Sequence, residues 1–340
     1  MKNYLKNWWK WLRYEPNDPR FETGKTIKIA VIGGGTGLAN MLRGLKKYSN
    51  KISAIVTVSD DGASSGEIRK EFDILPPGDV RKCISALAYN EKLITEIFEY
   101  RFAEDKKNLG GHTLGNIWIT ALSDYFGSFE KAVEITSEIF QTAGTVLPAT
   151  LDDARLKIEY EDGSIQLGEH YLDEVLTRIK KVSFDKKVHG YKKVINAIRD
   201  ADLVVVGPGS LYGSLIPNLI ITEIKDAIAL NSKAVRVLIA NCSTERTQTR
   251  NYSIDDHISA IFDHTKTRLF DYCLVNSRVI KKSKNETKLG EINNITTKKN
   301  NISGVKIIRA NVINNQNPLY HDSEKLAKSI IGLYNKAKQR

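Results

Sequence analysis

Several glycine-bearing segments place backbone donors where phosphate chemistry would need them. In TIKIAVIGGGTG, the residues Gly33, Gly34, Gly35, Thr36 and Gly37 follow an apolar β-branched run. They precede LANMLRGLKKY, in which Leu38, Met41, Leu42 and Leu45 recur at helical spacing. Glycines let backbone N–H groups approach an anion, and a helix N-terminus adds positive potential. The segment is not a strict dinucleotide fingerprint, because Leu38 stands where its last glycine would be. It is not a P-loop either, because no Gly-Lys-Ser/Thr follows. The plainer alternative is a tight turn without a ligand.

Acidic and polar groups follow at intervals. Asp60 and Asp61, in TVSDDGASSG, come just after a second apolar run, with Ser59, Ser64, Ser65 and Gly66 beside them. An acid about 20 residues past a glycine turn can hydrogen-bond a ribose hydroxyl. Two adjacent acids can also hold a divalent metal through a phosphate-bearing ligand. PPGDVRKC offers Asp79, a candidate helix cap, and Arg81, which would pair bidentately with an anion. GGHTLGN is another glycine turn before a helix, with His112, Thr113 and Asn116; His112 is either a structural imidazole or an acid–base group. In GPGSLYGSLIPN, Gly207, Gly209 and Ser210 expose donors after a third apolar run, Tyr212 could stack on a base or sugar, and Asn218 could read a polar edge. His257 and His264, seven residues apart on one helix, sit about 10 Å apart, too far to share a metal.

The elements that must position these groups read as a parallel α/β sheet. Apolar strands are expected over 27–32, 52–58, 202–206, 234–240, 272–276 and 305–313, and helices over 80–102, 114–125, 129–140, 190–200, 217–230, 254–265 and 322–338. Residues 59–80 read as a long loop. LKIEY, EDGS and IQLGE (156–169) read as a hairpin turning at Asp162-Gly163, inside an insertion over about 150–185. The Lys- and Asn-rich stretch 280–301 reads as a mobile basic excursion. The organisation expected is a basic aromatic segment 1–25 followed by one nucleotide-ligand-binding domain, 26–340.

Composition narrows the class. With 340 residues, 41% hydrophobic and 27% charged, the chain is globular, and no apolar run is long enough to span a bilayer. The net charge of +11 sits at the ends: residues 1–13 carry four basic groups and no acid, while 14–275 is slightly acidic. That distribution argues against a nucleic-acid enzyme. Trp8, Trp9 and Trp11 among Lys6, Lys10 and Arg13 suit either docking on the protein's own body or peripheral contact with an anionic membrane. Cys83, Cys242 and Cys273 lack a CxxC spacing, and a reducing cytoplasm fits them best.

The ordered series GGGTGL (33–38), TVSDDGASSG (57–66), PPGDVRKC (76–83), YRF (100–102), GGHTLGN (110–116), VLPAT (146–150), GPGSLYGSLIPN (207–218) and NYSIDDH (251–257) resembles the YvcK-type gluconeogenesis factors. That group lies within the superfamily that includes 2-phospho-L-lactate transferase, and the resemblance covers roughly residues 27–338. It implies a doubly wound, Rossmann-like, mostly parallel sheet with helices on both faces, binding a UDP-sugar such as UDP-N-acetylglucosamine. The implied role is cytoplasmic regulation that supports peptidoglycan synthesis and cell shape during gluconeogenic growth, without turnover. The other branch implies a transferase of a nucleotide-activated phospholactyl group, with magnesium held by Asp60 and Asp61. A dimer and contacts with cell-wall synthesis proteins also fall within the implication, and NAD is a further possible ligand from the glycine turn plus Asp60. Two departures stand out: Ala63 follows Gly62 where the family has a second glycine, and NCSTERTQT (241–249) replaces the usual Asn-x-Met-Thr-Gln-Pro-Gly-Glu-Thr, bringing in Glu245 and Arg246.

Overall fold

A computed structural model describes residues 27–106, 109–278 and 294–339. Segment 1–25 and most of the 280–301 stretch lie outside them. In chain order the strands are β1 (Ile29–Gly33), β2 (Ile52–Val56), β3 (Thr145–Pro148), β4 (Leu156–Tyr160), β5 (Ile165–Leu167), β6 (Ile179–Phe184), β7 (Leu203–Val206), β8 (Val235–Ile239), β9 (Tyr272–Asn276), β10 (Asn301–Ile302) and β11 (Val305–Ala310). The helices are α1 (Gly35–Leu45), α2 (Ala63–Phe72), α3 (Gly78–Leu87), α4 (Glu91–Phe98), α5 (Leu114–Phe126), α6 (Phe129–Ile139), α7 (Tyr171–Glu174), α8 (Lys192–Asp200), α9 (Ile216–Leu219), α10 (Thr222–Leu230), α11 (Ile254–Thr265) and α12 (Ser323–Lys338). A π-helical turn, Leu211–Leu215, runs directly into α9.

Eight strands form one sheet in the order β10-β11-β9-β8-β7-β1-β2-β3, parallel except for β10. β1 lies between β2 and β7, with Ile29 opposite both Ile52 and Leu203. Strand order therefore reverses around β1, which is the doubly wound α/β architecture. Strands covered on both faces need apolar groups at every position, and β1 and β7 are buried throughout. Alternation then divides them: Ile29 and Val31 pack with Leu38, Leu42 and α12, while Ala30 and Ile32 pack with Val206, Leu215 and the inserted strands.

Four local readings are corrected. The 59–80 segment is not all loop: α2 lies within it, held by Arg69, which pairs with Asp153 and donates to the Ala154 carbonyl at 2.8 Å. The expected 80–102 helix is two helices, because Ala88 turns extended and bridges to Thr142. The 217–230 helix is likewise interrupted, at the extended Ile221. The 156–169 hairpin gains a third strand, β6, in an antiparallel sheet ordered β5-β4-β6. That small sheet is tied to the main body by His264, whose Nε2 accepts the Val182 N–H at 3.0 Å while Nδ1 donates to the Ala260 carbonyl.

The basic stretch is also fixed at its far end. Ile295 is buried, Asn294 bridges to Ser243, and β10 pairs with β11. Arg309 donates to the Thr297 carbonyl at 2.8 Å and to the Asn300 side chain at 2.9 Å. Residues 294–301 are therefore not a mobile excursion. β11 itself stops at Ala310 and not at 313, and the Val312 N–H turns to the Asn276 side chain.

The packing of α1 on α12 yields a paired prediction. A Cβ on Gly44 would sit 2.0 Å from the Ser323 carbonyl oxygen, whereas one on Gly332 would meet nothing within 4 Å. Helix propensity alone favours alanine at both sites by about 1 kcal/mol. Gly332→Ala is expected to raise stability by about that amount, while Gly44→Ala loses about 1–3 kcal/mol by overpacking. Denaturant melts of the two variants check the opposite signs.

Candidate functional site

The chain leaves β1 at Gly33 and enters α1 through three glycines with different demands. Gly34 is fully extended and has no room for a side chain: a Cβ would lie 2.6 Å from Thr57 Cγ2 and 2.7 Å from an Asp79 carboxylate oxygen. Gly35 has open space around it but φ of +67°, a left-handed conformation that favours glycine. Gly37 would bring a Cβ within 3.1 Å of the Pro208 carbonyl. The first turn of α1 is thereby pressed against the turn that follows β7. Behind both, the Asn218 amide donates to Gly33 O at 3.1 Å and Ser214 O at 2.7 Å, holding the two turns together.

Asp79 caps a helix other than its own. Its Oδ2 accepts the Gly35 N–H at 2.6 Å, and its Oδ1 accepts from Lys82 Nζ at 3.0 Å. A carboxylate thus sits at the N-terminus of α1, where the aligned peptide dipoles favour negative charge. Across the cleft, Gly209 and the Asn241 side chain exchange two hydrogen bonds, 3.2 and 2.9 Å. Ser210 Oγ donates to Gln248 at 2.5 Å and accepts from Gly213 N–H, and Gln248 reaches on to Asp173 at 3.3 Å.

These walls enclose a cleft of about 610 Å³ at the carboxyl ends of β1 and β7, the switch point of the sheet. Of the sequence-derived residues, Gly34, Gly35, Thr36, Gly37, Asp60, Asp79, Gly209 and Ser210 line it. The others are placed elsewhere. Asp61 turns away, accepting from the backbone N–H and Nδ1 of His170, both at 3.0 Å, so the two adjacent acids do not converge on one point. Ser65 is buried and hydrogen-bonds Asp60. Arg81 is buried, paired with Glu99 and donating to the Phe98 carbonyl, and it does not reach the cleft. His112 faces Glu67 at 3.5 Å, and Asn116 sits in the first turn of α5 with its N–H on Thr113 Oγ1. Tyr212 is 2% exposed, its hydroxyl 3.0 Å from that of Tyr252, so it stacks on no ligand in the cleft.

Sequence reasoning missed Lys82, Glu169, Asp173 and Asn241. Lys82 was legible: it stands three residues from Asp79 on the same helix face, whereas Arg81 at two residues points elsewhere. Glu169 and Asp173 come from the insertion and become neighbours of Asp60 only in three dimensions. Tyr320 and His321, just before α12, also line the cleft.

The cleft is rich in acids, and burial governs their ionisation. Burial, reinforced by Asp60, Asp173, Asp79 and Asp61, pushes Glu169 up to about 8. Burial, then Asp173, lifts Glu245 to about 7. Asp60 is raised by burial and by Asp79, against the Gly62 N–H and Ser65 that pull it down. Lys82 loses some charge preference to burial, but Asp79 and Asp60 outweigh it and raise its value. Cys242 lines the cleft as a neutral thiol, pushed by burial up to about 12. Among the described residues no group of three or more His, Cys, Asp or Glu side chains is arranged to hold a metal ion. The arrangement can therefore seat an anion on backbone donors, with protons or one cation offsetting the surrounding carboxylates.

Residues 29–313 match the family model described as 2-phospho-L-lactate transferase CofD. A gluconeogenesis factor of Bacillus subtilis is 37% identical over 91% of this chain and 99% of its own length. A putative gluconeogenesis factor of Nostoc is 48% identical over 74% of this chain, which spans 55% of that longer relative. The crystal structure of a Bacillus halodurans protein is similar with a TM-score of 0.86 at 37% identity, covering 90% of this chain and all of that one. With the ordered motifs, the switch-point cleft and these similarities in agreement, the chain belongs to the gluconeogenesis factor family, built on a CofD-type domain.

Proposed function

We propose that the protein binds a UDP-sugar, UDP-N-acetylglucosamine in the first instance, and acts as a cytoplasmic regulator without turning the ligand over. The carrying observation is the convergence of the α1 N-terminus and the Gly209–Gly213 turn on one cleft, whose volume suits a nucleotide-sized ligand. The N–H groups at Thr36 and Gly37 and the turn after β7 would meet the diphosphate. Asp60 would meet ribose or sugar hydroxyls. At the wall, Ser210 donates to Gln248 and not to a base, and burial keeps the Cys242 thiol protonated, so neither is an activated nucleophile. The role in peptidoglycan synthesis and cell shape, a dimeric state and cell-wall partners belong to this reading. Among the described residues no helix is long and apolar enough to cross a membrane.

A second reading rests on Asp60 and Asp79, two coupled carboxylates at the cradle. They could hold a magnesium ion against a phosphate, the arrangement of a phosphoryl-ester transferase. Asp79 stands in for Asp61 here because it lines the cleft beside Asp60, whereas Asp61 turns away to His170; Lys82 would have to release Asp79 for the metal to bind.

Calorimetric titration with UDP-N-acetylglucosamine, GDP and NAD, each with and without magnesium, separates the readings. Micromolar binding of the UDP-sugar alone, with the sugar nucleotide recovered intact, is the expected result. Preference for GDP with a strict magnesium requirement supports the transferase, and NAD alone overturns both. Gly35→Val is expected to weaken UDP-sugar binding at least tenfold, because a β-branched residue at positive φ forces the cradle out of shape. Unchanged affinity in that variant would remove the cradle from the site.

Protonation gives a second expectation. Glu169 is largely neutral below pH about 8 and charged above it. UDP-sugar affinity is expected to fall as pH rises from 6.5 to 9, and Glu169→Gln to flatten that fall. Stability follows the same sign: a carboxyl raised on folding loses stability as pH rises from its ordinary range toward 8. Glu169→Gln should therefore raise Tm more at pH 8.5 than at pH 5.5. Equal pH slopes in variant and wild type would show that Glu169 does not titrate in the cleft.

A further inference from the structure

The cleft is unlike on its two flanks. On one, the insertion brings Glu169 and Asp173 over the turn that follows β7. Gly213 makes room for the first: a Cβ there would lie 2.5 Å from Glu169 Oε1. Asp173 is fixed by a chain of hydrogen bonds, its Oδ1 accepting from Gln248 Nε2 at 3.3 Å while Gln248 Oε1 accepts from Ser210 Oγ at 2.5 Å. Glu245 joins this flank, hydrogen-bonded to the Leu211 backbone and close enough to Asp173 to feel its charge. The cations that line the cleft do not balance these acids. Lys82 pairs with Asp79 at the cradle, and Arg246 is exposed, where solvent screens it.

The other flank is neutral. Helices α1 and α12 pack on the face of the sheet opposite the insertion, and Asn40, Tyr320 and His321 line the cleft from that side. Asn40 donates to the His321 carbonyl at 2.6 Å. Burial pushes His321 down to about 4, so its ring is uncharged at neutral pH. Its Nε2 is buried without a partner among the described residues, an unmet acceptor at the wall of the cleft. Tyr320 is exposed and free to stack.

A nucleotide sugar has ends to match. Its glycosyl group is ringed by hydroxyl donors, which carboxylates accept. A uracil ring presents carbonyl oxygens that carboxylates repel, an N–H donor, and a flat face suited to an aromatic side chain. With the diphosphate on the cradle, the acidic flank suits the sugar and the neutral flank the base. We propose that Glu169 and Asp173 are specificity-determining residues, which seat the glycosyl group and restrict the ligand to nucleotide sugars whose glycosyl group is neutral or cationic, excluding uronates. The assignment rests on the UDP-sugar reading above. A carboxylate on the sugar would enter a space already crowded with acids, where a low dielectric strengthens repulsion.

The test is calorimetric titration at pH 7.5 with UDP-glucose and two ligands that each differ from it at one carbon: UDP-glucuronate, with a carboxylate at C6, and UDP-glucosamine, with an amine at C2. In wild type, UDP-glucuronate is expected to bind at least tenfold more weakly than UDP-glucose, and UDP-glucosamine at least as tightly as UDP-glucose. Asp173→Asn keeps the oxygen that accepts from Gln248 and removes only the charge, and Glu169→Gln is equally conservative in shape. The double variant, its fold checked by circular dichroism and Tm, is expected to bring UDP-glucuronate within threefold of UDP-glucose. That ratio compares two ligands on one protein, so a general loss of affinity or stability does not move it. Equal affinity of wild type for UDP-glucose and UDP-glucuronate overturns the proposal, as does weaker binding of UDP-glucosamine than of UDP-glucose. A tenfold preference that the double variant leaves unchanged overturns it in favour of a sugar on the neutral flank. Failure of all three ligands to bind overturns the UDP-sugar reading and this assignment with it, whereas binding in the wrong order overturns the assignment alone.

Discussion

Strand β1 pairs with neighbours that arrive from distant parts of the chain. β2 follows it almost at once, whereas β7 comes only after the helices α2–α8 and the inserted sheet. Both pairings are parallel and in register, so all three strands release the chain at the same edge. The turns after β1 and β7 then have to part, and the space between them is the cleft. Nearly everything else about the site follows. Gly37 is needed where the first turn of α1 meets Pro208, Asn218 ties the turn after β7 to Gly33, and the walls are supplied by whichever segments cross above. This constraint is independent of any particular ligand, since it belongs to the winding of the sheet.

What the sequence made legible was periodic or local. The buried strands announced themselves as continuous β-branched runs, and the closing helix by Leu326, Ile330 and Leu333 on one face. Glycine turns were recognisable because a tight turn leaves few alternatives. What stayed hidden was long-range. Nothing near Tyr212 says that Tyr252 will take its hydroxyl, and nothing near Asp61 says that His170 will. The helix α2 was hidden because it buries Ile68 without a continuous apolar stripe, and Arg69, which anchors it, meets Asp153 more than 80 residues away. Arg81 and Lys82 illustrate the finer limit: both are basic and adjacent, yet one rotation of 100° sends the first to Glu99 and the second to Asp79.

The acids of the cleft come from four segments, and their crowding is a feature of the assembled fold alone. Asp60 and Asp79 sit near the cradle, Glu169 and Asp173 descend from the insertion, and Glu245 belongs to the loop after β8. Like charges in a partly buried space cannot all be ionised, so protons are retained on the most enclosed of them. The insertion thus does more than cap the sheet: it sets the electrostatic character of the cleft that β1 and β7 create. The 241–249 loop contributes to the same balance, Glu245 adding an acid and Arg246 an exposed cation.

The two ends of the large sheet also differ from its middle. One edge is β10, only two residues long and running against its neighbour, and the other is β3, which ends in Pro148. A short reversed strand and a proline, which carries no N–H to donate, both make poor templates for a further strand. Strand-by-strand growth from one copy onto the next is therefore disfavoured at both margins of this sheet. The small sheet is different: its edge strand β5 carries Ile165 and Leu167 half exposed, so the backbone ladder is guarded at the margins of the large sheet and left open at this edge of the inserted one.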